Sequence, residues 1–143
     1  MFSPGDVLLA DALMCNWRGL FSLHQQGVDT VTRLNKANRK ADFRRGKRLG
    51  KDDHIVRWRK PGSIRSIDWA TYHTLPDFIT VRETRIYVER PSFPTKELIV
   101  VTTLLDPVQY TKEDLALLYR ARWNNEVCQA GYTERSLLYL EAA

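Results

Sequence analysis

Hydrophobic residues in this chain form continuous runs at 6–11 and 97–106 and alternating runs between them. DVLLAD at 6–11 is continuously apolar and ends in an acid. That pattern predicts a buried strand of a parallel or mixed sheet with Asp11 at its carboxyl end. Residues 14–26 predict a helix with Leu20, Phe21 and Leu23 toward the core and Gly27 as its stop. VDTVTRL at 28–34 alternates enough to be the next strand. From Asn35 to about Lys51 the chain is polar, basic and broken by Gly46 and Gly50, which predicts an exposed loop or hairpin tip. HIVRWRK at 54–60 and TVRETRIYVER at 80–90 are rich in β-branched and aromatic residues with a period of two, the mark of strands. Pro61-Gly62, Pro76-Asp77 and Pro91 mark turns. ELIVVTTLLD at 97–106 is a further strand, and a helix follows from about residue 112.

That last helix has its own start signal. Thr111 and Asp114 give a Thr-x-x-Asp opening of the capping-box type, and Glu113 and Asp114 carry negative charge in the first turn. Leu115, Leu117 and Leu118 offer apolar anchors to a core. Tyr119, Arg122 and Glu126 follow at steps of three and four, so one helical face carries a phenol, a guanidinium and a carboxylate. Such a face can bind metal and phosphate together. It is also what an amphipathic helix with an ordinary Arg122–Glu126 surface pair looks like.

With 143 residues the chain suits one domain, and 43% hydrophobic with 27% charged residues reads as globular rather than disordered. No apolar run approaches a membrane span, and MFSPGDVLLAD lacks the basic start of a signal peptide. Cys15 and Cys128 are isolated thiols, as expected in a reducing cytoplasm, and His24, His54 and His73 form no zinc-ligand spacing.

Charge changes the picture more. Residues 33–60 carry 12 Lys or Arg against 3 Asp or Glu, a local net of +9, while the rest of the chain nets −4. A basic stripe on an otherwise acidic chain points to a polyanion, most often nucleic acid. Arg44, Arg45, Lys47, Arg48, Lys51, Arg57 and Arg59 are the expected phosphate contacts, the alternative being a solvated loop. Trp58 or Trp69 could stack on a base, or pack the interior.

Two carboxylates therefore stand out, Asp11 at a strand end and Glu126 on a late helix. Convergent carboxylates can hold a pair of Mg²⁺ ions that drive in-line attack on a phosphodiester. Asp106 competes as another strand-end acid, although its Asp-Pro context favours a turn.

GDVLLAD at 5–11, DFRRGKRLGKDDHIVRWRKP at 42–61 and ELIVVTTLLDPVQYTKEDLALLYRARWNNE at 97–126 together resemble the bacterial insertion-sequence DDE transposases of the Y-(2)-R-(3)-E-(6)-K signature, over residues 5–127. The resemblance implies an α/β fold, a partial ribonuclease H-like core interrupted by a β-rich basic insertion. Its segments would be a core strand and helix at 1–29, the insertion at 30–95, a core strand and helix at 96–127, and a divergent tail at 128–143. It implies that Asp11 and Glu126 are catalytic, metal-holding acids, with Mg²⁺ as cofactor. Tyr119 and Arg122 would support the site and contact DNA near the element's end. The implied partner is insertion-sequence DNA, with full-length transposase as a second.

Two departures bear on activity. The family's first aspartate has no counterpart here, and Asp6, in the same strand as Asp11, does not replace it. Thr133 stands where the signature lysine is expected. The chain thus resembles the middle and late part of a transposase, expected to be catalytically defective alone, with strand 6–11 left as an unpaired edge. The competing function is a non-enzymatic nucleic-acid-binding module or an inhibitor of full-length transposase.

Overall fold

A computed structural model describes residues 3–35, 39–90, 92–128 and 138–141, with backbone alone at Met14, Arg90, Phe93, 122–128 and 138–141. Seven strands form one mixed sheet: β1 (Asp6–Leu9), β2 (Asp29–Arg33), β3 (Lys47–Gly50), β4 (Asp53–Arg59), β5 (Phe78–Arg90), β6 (Phe93–Thr102) and β7 (Leu138–Glu141). Their order is β3-β4-β5-β6-β2-β1-β7. Only β1 and β2 pair in parallel, joined by helix α1 (Trp17–Gln25); the remaining pairs are antiparallel. Such a mixed α/β sheet is compatible with a partial ribonuclease H-like core.

The register explains why β1 and β2 read as apolar runs. Alternate residues of β1, β2, β5 and β6 put Val7, Leu9, Val31, Ile86, Val88, Leu98 and Val100 on one face, under Leu115, Ala116 and Tyr119 of α3 (Lys112–Cys128). The other face carries Trp58, Val81, Ile99 and Val101 against Trp17 and Leu20 of α1. Both faces are covered, so Thr30, Val31 and Thr32 are all fully buried and strict alternation disappears. Each fully buried aliphatic side chain contributes about 1.5–3 kcal/mol by leaving water.

Helix α1 starts where Asn16 accepts from Gly19 N–H at 2.8 Å and ends before Gly27, whose φ of +78° suits a residue without Cβ. Leu20 and Leu23 are buried and Phe21 packs at the margin, as the spacing predicts. The box at the start of α3 closes both ways: Thr111 Oγ1 accepts from Asp114 N–H at 3.1 Å, and Asp114 Oδ2 accepts from Thr111 N–H at 3.3 Å.

Several expectations need correction. Leu117 is 63% exposed, because the buried stripe of α3 runs through Leu115, Leu118 and Tyr119 and leaves Leu117 on the opposite side. The region to Lys51 is not wholly loop, since Lys47–Gly50 pairs with β4 as a short edge strand. A six-residue helix, α2 (Trp69–Thr74), went unpredicted; its signal is Asp68, which caps Thr71 N–H at 2.8 Å. The strand expected at 97–106 runs Phe93–Thr102 instead, and Asp106 sits in a turn, its Oδ1 accepting from Val108 N–H at 2.9 Å and Gln109 N–H at 3.3 Å. The edge of β1 is not bare: β7 pairs with it antiparallel, setting Asp6 opposite Glu141 and Leu9 opposite Leu138. The basic strands share one hydrogen-bonded sheet with β1 and β2, and residues 29/30 and 95/96 lie within β2 and β6.

Candidate nucleic-acid interface

Asp11 lies two residues beyond the carboxyl end of β1. Its backbone is extended, and its Oδ1 accepts from Leu13 N–H at 3.0 Å, capping the single 3₁₀ turn Ala12–Met14. The carboxylate is partly exposed. Immediately past it, a cleft of about 400 Å³ is lined by Ala12, Arg33, Leu34, Asn35, Lys96 and Glu97, with Leu98 and Ile99 behind. Two cations thus flank the end of the parallel strand pair, where ligands of open α/β sheets gather. Arg33 opens the basic run and Lys96 lies far from it in the sequence; strand pairing across β2 and β6 brings them to one cleft.

Tyr119 has no exposed surface and packs with Val7, Leu9, Ile86 and Leu115. Arg122 and Glu126 belong to the last turns of α3, and their side chains lie outside the described residues. Along the axis Glu126 is about 10 Å beyond Tyr119, at about 1.5 Å per residue. Thr133 lies outside the described residues altogether.

Among the described residues no three acids, histidines or cysteines come together as a metal cage. The one described acid of the expected pair is Asp11, already engaged as a cap through one oxygen. This donor set alone does not make a two-ion site.

The basic residues gather on the β3–β4 side of the sheet. Arg44, Arg45, Lys47, Arg48, Lys51, Arg57 and Arg59 are all exposed. They are not equally available. Asp42 holds Arg44 at 3.0 Å and Arg45 at 3.6 Å, and hydrogen bonding from the Arg44 guanidinium keeps its carboxyl below the usual range. Arg48 Nε donates to the Gly50 carbonyl at 3.3 Å, and Arg57 lies over the Phe78 ring at 4.9 Å. Because β3 pairs only with Asp53–Ile55, the outer edge of β4 from Val56 onward is unpaired by it.

Along that edge runs a cleft of about 600 Å³ with Arg39, Lys40, Arg45 and Arg57 at its rim and Trp58, His54 and Glu83 at its floor. The floor is fixed. His54 Nε2 lies 2.7 Å from Glu83 Oε1, His54 Nδ1 lies 2.6 Å from the Arg45 carbonyl, and Trp58 Nε1 donates to Glu83 Oε2 at 3.3 Å. Gly46, at φ +77°, passes so close to the Ile55 carbonyl that a Cβ there would clash. Arg39 stacks on Trp58 at 4.2 Å, and burial pulls its guanidinium pKa down. Arg39 and Lys40 belong to the basic run, and their place at this cleft comes from the loop's fold. Trp58 is 4% exposed and built into the interior, whereas Trp69 is 77% exposed. No helix of the described residues is long and apolar enough to cross a membrane.

The family model of the transposase DDE domain matches residues 1–127. No curated protein and no solved structure is matched by the chain. The match spans the acid at the end of β1, the basic strands and α3 as far as Val127, so the segments in which the sequence carries its resemblance are those that the family model covers. The chain belongs to the transposase DDE domain family.

Proposed function

We propose that this protein acts in DNA transposition as a DNA-binding transposase-family chain of the YREK type, with Asp11 and Glu126 as its catalytic, metal-holding acids. The observation that carries the reading is the exposed cationic hairpin of β3 and β4, which supplies phosphate contacts on a family member that is otherwise mildly acidic. Arg44, Arg45, Lys47, Arg48, Lys51, Arg57 and Arg59 grip the backbone of the insertion-sequence end, and Arg122 contacts DNA from α3. In this reading residues 30–95 are the basic insertion and the protein works in the cytoplasm.

In this reading Asp11 and Glu126 would be the residues that hold Mg²⁺, whose chemistry would be Lewis-acid activation of an attacking oxygen. These 143 residues taken by themselves are then catalytically defective, because they carry two of the family's three acids. Purified protein with Mg²⁺ or Mn²⁺ and DNA carrying the element's ends should give no nicking. Cleavage that disappears in Glu126→Gln would refute the claim of inactivity.

A second reading keeps the DNA contact without catalysis: an inhibitor that competes for DNA ends or pairs with full-length transposase. The paired edge of β1 favours a chain that folds alone. Addition of this protein to an active transposase should then lower cleavage, and no loss of cleavage at saturating protein would count against it.

A further inference from the structure

Among the described residues Arg82 is the largest fully buried side chain, and it is charged. Its Nε donates to Asp53 Oδ1 at 2.9 Å and its Nη2 to Asp53 Oδ2 at 2.7 Å, a bidentate pair across β4 and β5. Its remaining nitrogen, Nη1, donates to the main-chain carbonyl of Tyr110, just before the capping box of α3. The three bonds engage all three nitrogens of the guanidinium and join two strands to a helix start.

Two further cations make the same kind of link. Lys112, the first residue of α3, donates from Nζ to the Lys51 carbonyl in the β3–β4 turn at 2.7 Å. Arg120 donates through Nε and Nη2 to the Tyr87 carbonyl of β5 at 3.2 and 3.0 Å. The β3–β4 turn is itself held to β5, where Asp52 accepts from Arg85 N–H at 2.9 Å and pairs with the Arg85 guanidinium at 3.0 Å. A buried charged pair is a poor way to gain stability, since apolar residues of the same volume do as well or better. What it supplies is a fixed geometry, and here that geometry sets the start of α3.

We infer that Arg82 is a positioning residue that, through Asp53 and Tyr110, docks the first turn of α3 on the β4–β5 hairpin, so that the cationic hairpin and the helix bearing Arg122 and Glu126 are held as one body. Its bearing on DNA chemistry rests on the function proposed above; the docking itself does not. Lys112 and Arg120 act along the same line, but their bonds lie at the exposed surface, so water can replace each one. Arg82 has no such substitute.

The test is hydrogen exchange on the full chain without DNA, so its outcome is independent of whether the protein binds DNA. Asp53→Leu with Arg82→Met removes both charges together and leaves no buried ion unpaired. In this double variant the amides of Leu115–Tyr119 should exchange at least tenfold faster, while those of Val81–Val88 stay within about twofold of wild type. Arg82→Lys, which reaches either Asp53 or the Tyr110 carbonyl but not both, should fall between and shows the same split if the double variant fails to fold. Helix and sheet protection lost in step, or no change in α3, would overturn the assignment.

Discussion

Arg82 and Asp53 form a two-point ion pair inside the sheet, at 2.7 and 2.9 Å, with the arginine wholly and the aspartate almost wholly removed from solvent. Removing one partner strands the other charge in the interior. Arg82→Ala should therefore cost about 3–5 kcal/mol of stability, whereas the double Asp53→Leu, Arg82→Met variant should stay near wild type or exceed it. Urea unfolding of the three proteins measures both, and a single variant as stable as wild type would contradict the pairing.

Asp42 tests the electrostatics of the hairpin from the opposite direction. It neutralises part of Arg44 and Arg45. Asp42→Asn should raise affinity for duplex DNA and steepen its salt dependence by about 0.9 in the log–log slope for each phosphate contact released. Anisotropy titrations at several salt concentrations read the change; weaker binding in the variant would show that Asp42 organises the arginines for contact rather than competing for them.

Gly46 tests the cleft floor. At φ +77° and against the Ile55 carbonyl, an alanine must strain its backbone and push β3 from β4. Gly46→Ala should cost at least about 1–2 kcal/mol and lower DNA affinity with it. Gly50→Ala, where a Cβ meets open space, serves as the control.

Cys15 predicts a pH dependence. Burial in the α1 side of the core raises its thiol from 9.0 to about 11. The folded state holds this proton more tightly than the unfolded one, so the contribution to stability is complete below pH 9 and is lost as pH rises toward 11. The loss is about 1.4 kcal/mol per pH unit across that window. In a Cys128→Ser background, native protein should resist thiol reagents at pH 8, and Cys15→Ala should flatten the alkaline fall in stability. An unchanged alkaline limb in Cys15→Ala would contradict the assignment.

Thr111→Ala removes half of the reciprocal cap on α3 and should cost about 1 kcal/mol. Thermal unfolding gives the value. A loss far below it would mean that packing of Leu115 and Tyr119 alone fixes the helix start.

Local signals in the sequence reached strands β1, β2, β4, β5 and β6, the two long helices and the box at Thr111 and Asp114, because each is written in neighbouring residues. They also gave the turn at Asp106 and the division of the basic stripe from the rest of the chain. What they missed is set by pairing across distance. Leu8 and Leu9 look alike in sequence, yet they face opposite sides of the sheet, under different helices. The role of Arg82 depends on Asp53 and on Tyr110, each about 30 positions away, and a lone arginine in an alternating strand reads as solvent-facing. Leu138–Glu141 looked unrelated to the core, yet its backbone register completes the edge of β1. Tyr119 illustrates the limit of helical spacing. The face it shares with Arg122 and Glu126 is readable, but only the packing against Val7 and Leu9 shows that this face begins inside the core.

In the function proposed above, the hairpin of β3 and β4 holds DNA through its cations. The most direct test is a duplex-DNA titration of the full chain across roughly 50 to 200 mM salt, beside a variant with Lys47, Arg48, Arg57 and Arg59 all replaced by alanine. Affinity that falls steeply with salt in the wild type, and is weak with a shallower slope in the variant, is the predicted result. Salt-indifferent binding, or equal affinity in the two proteins, would contradict the account.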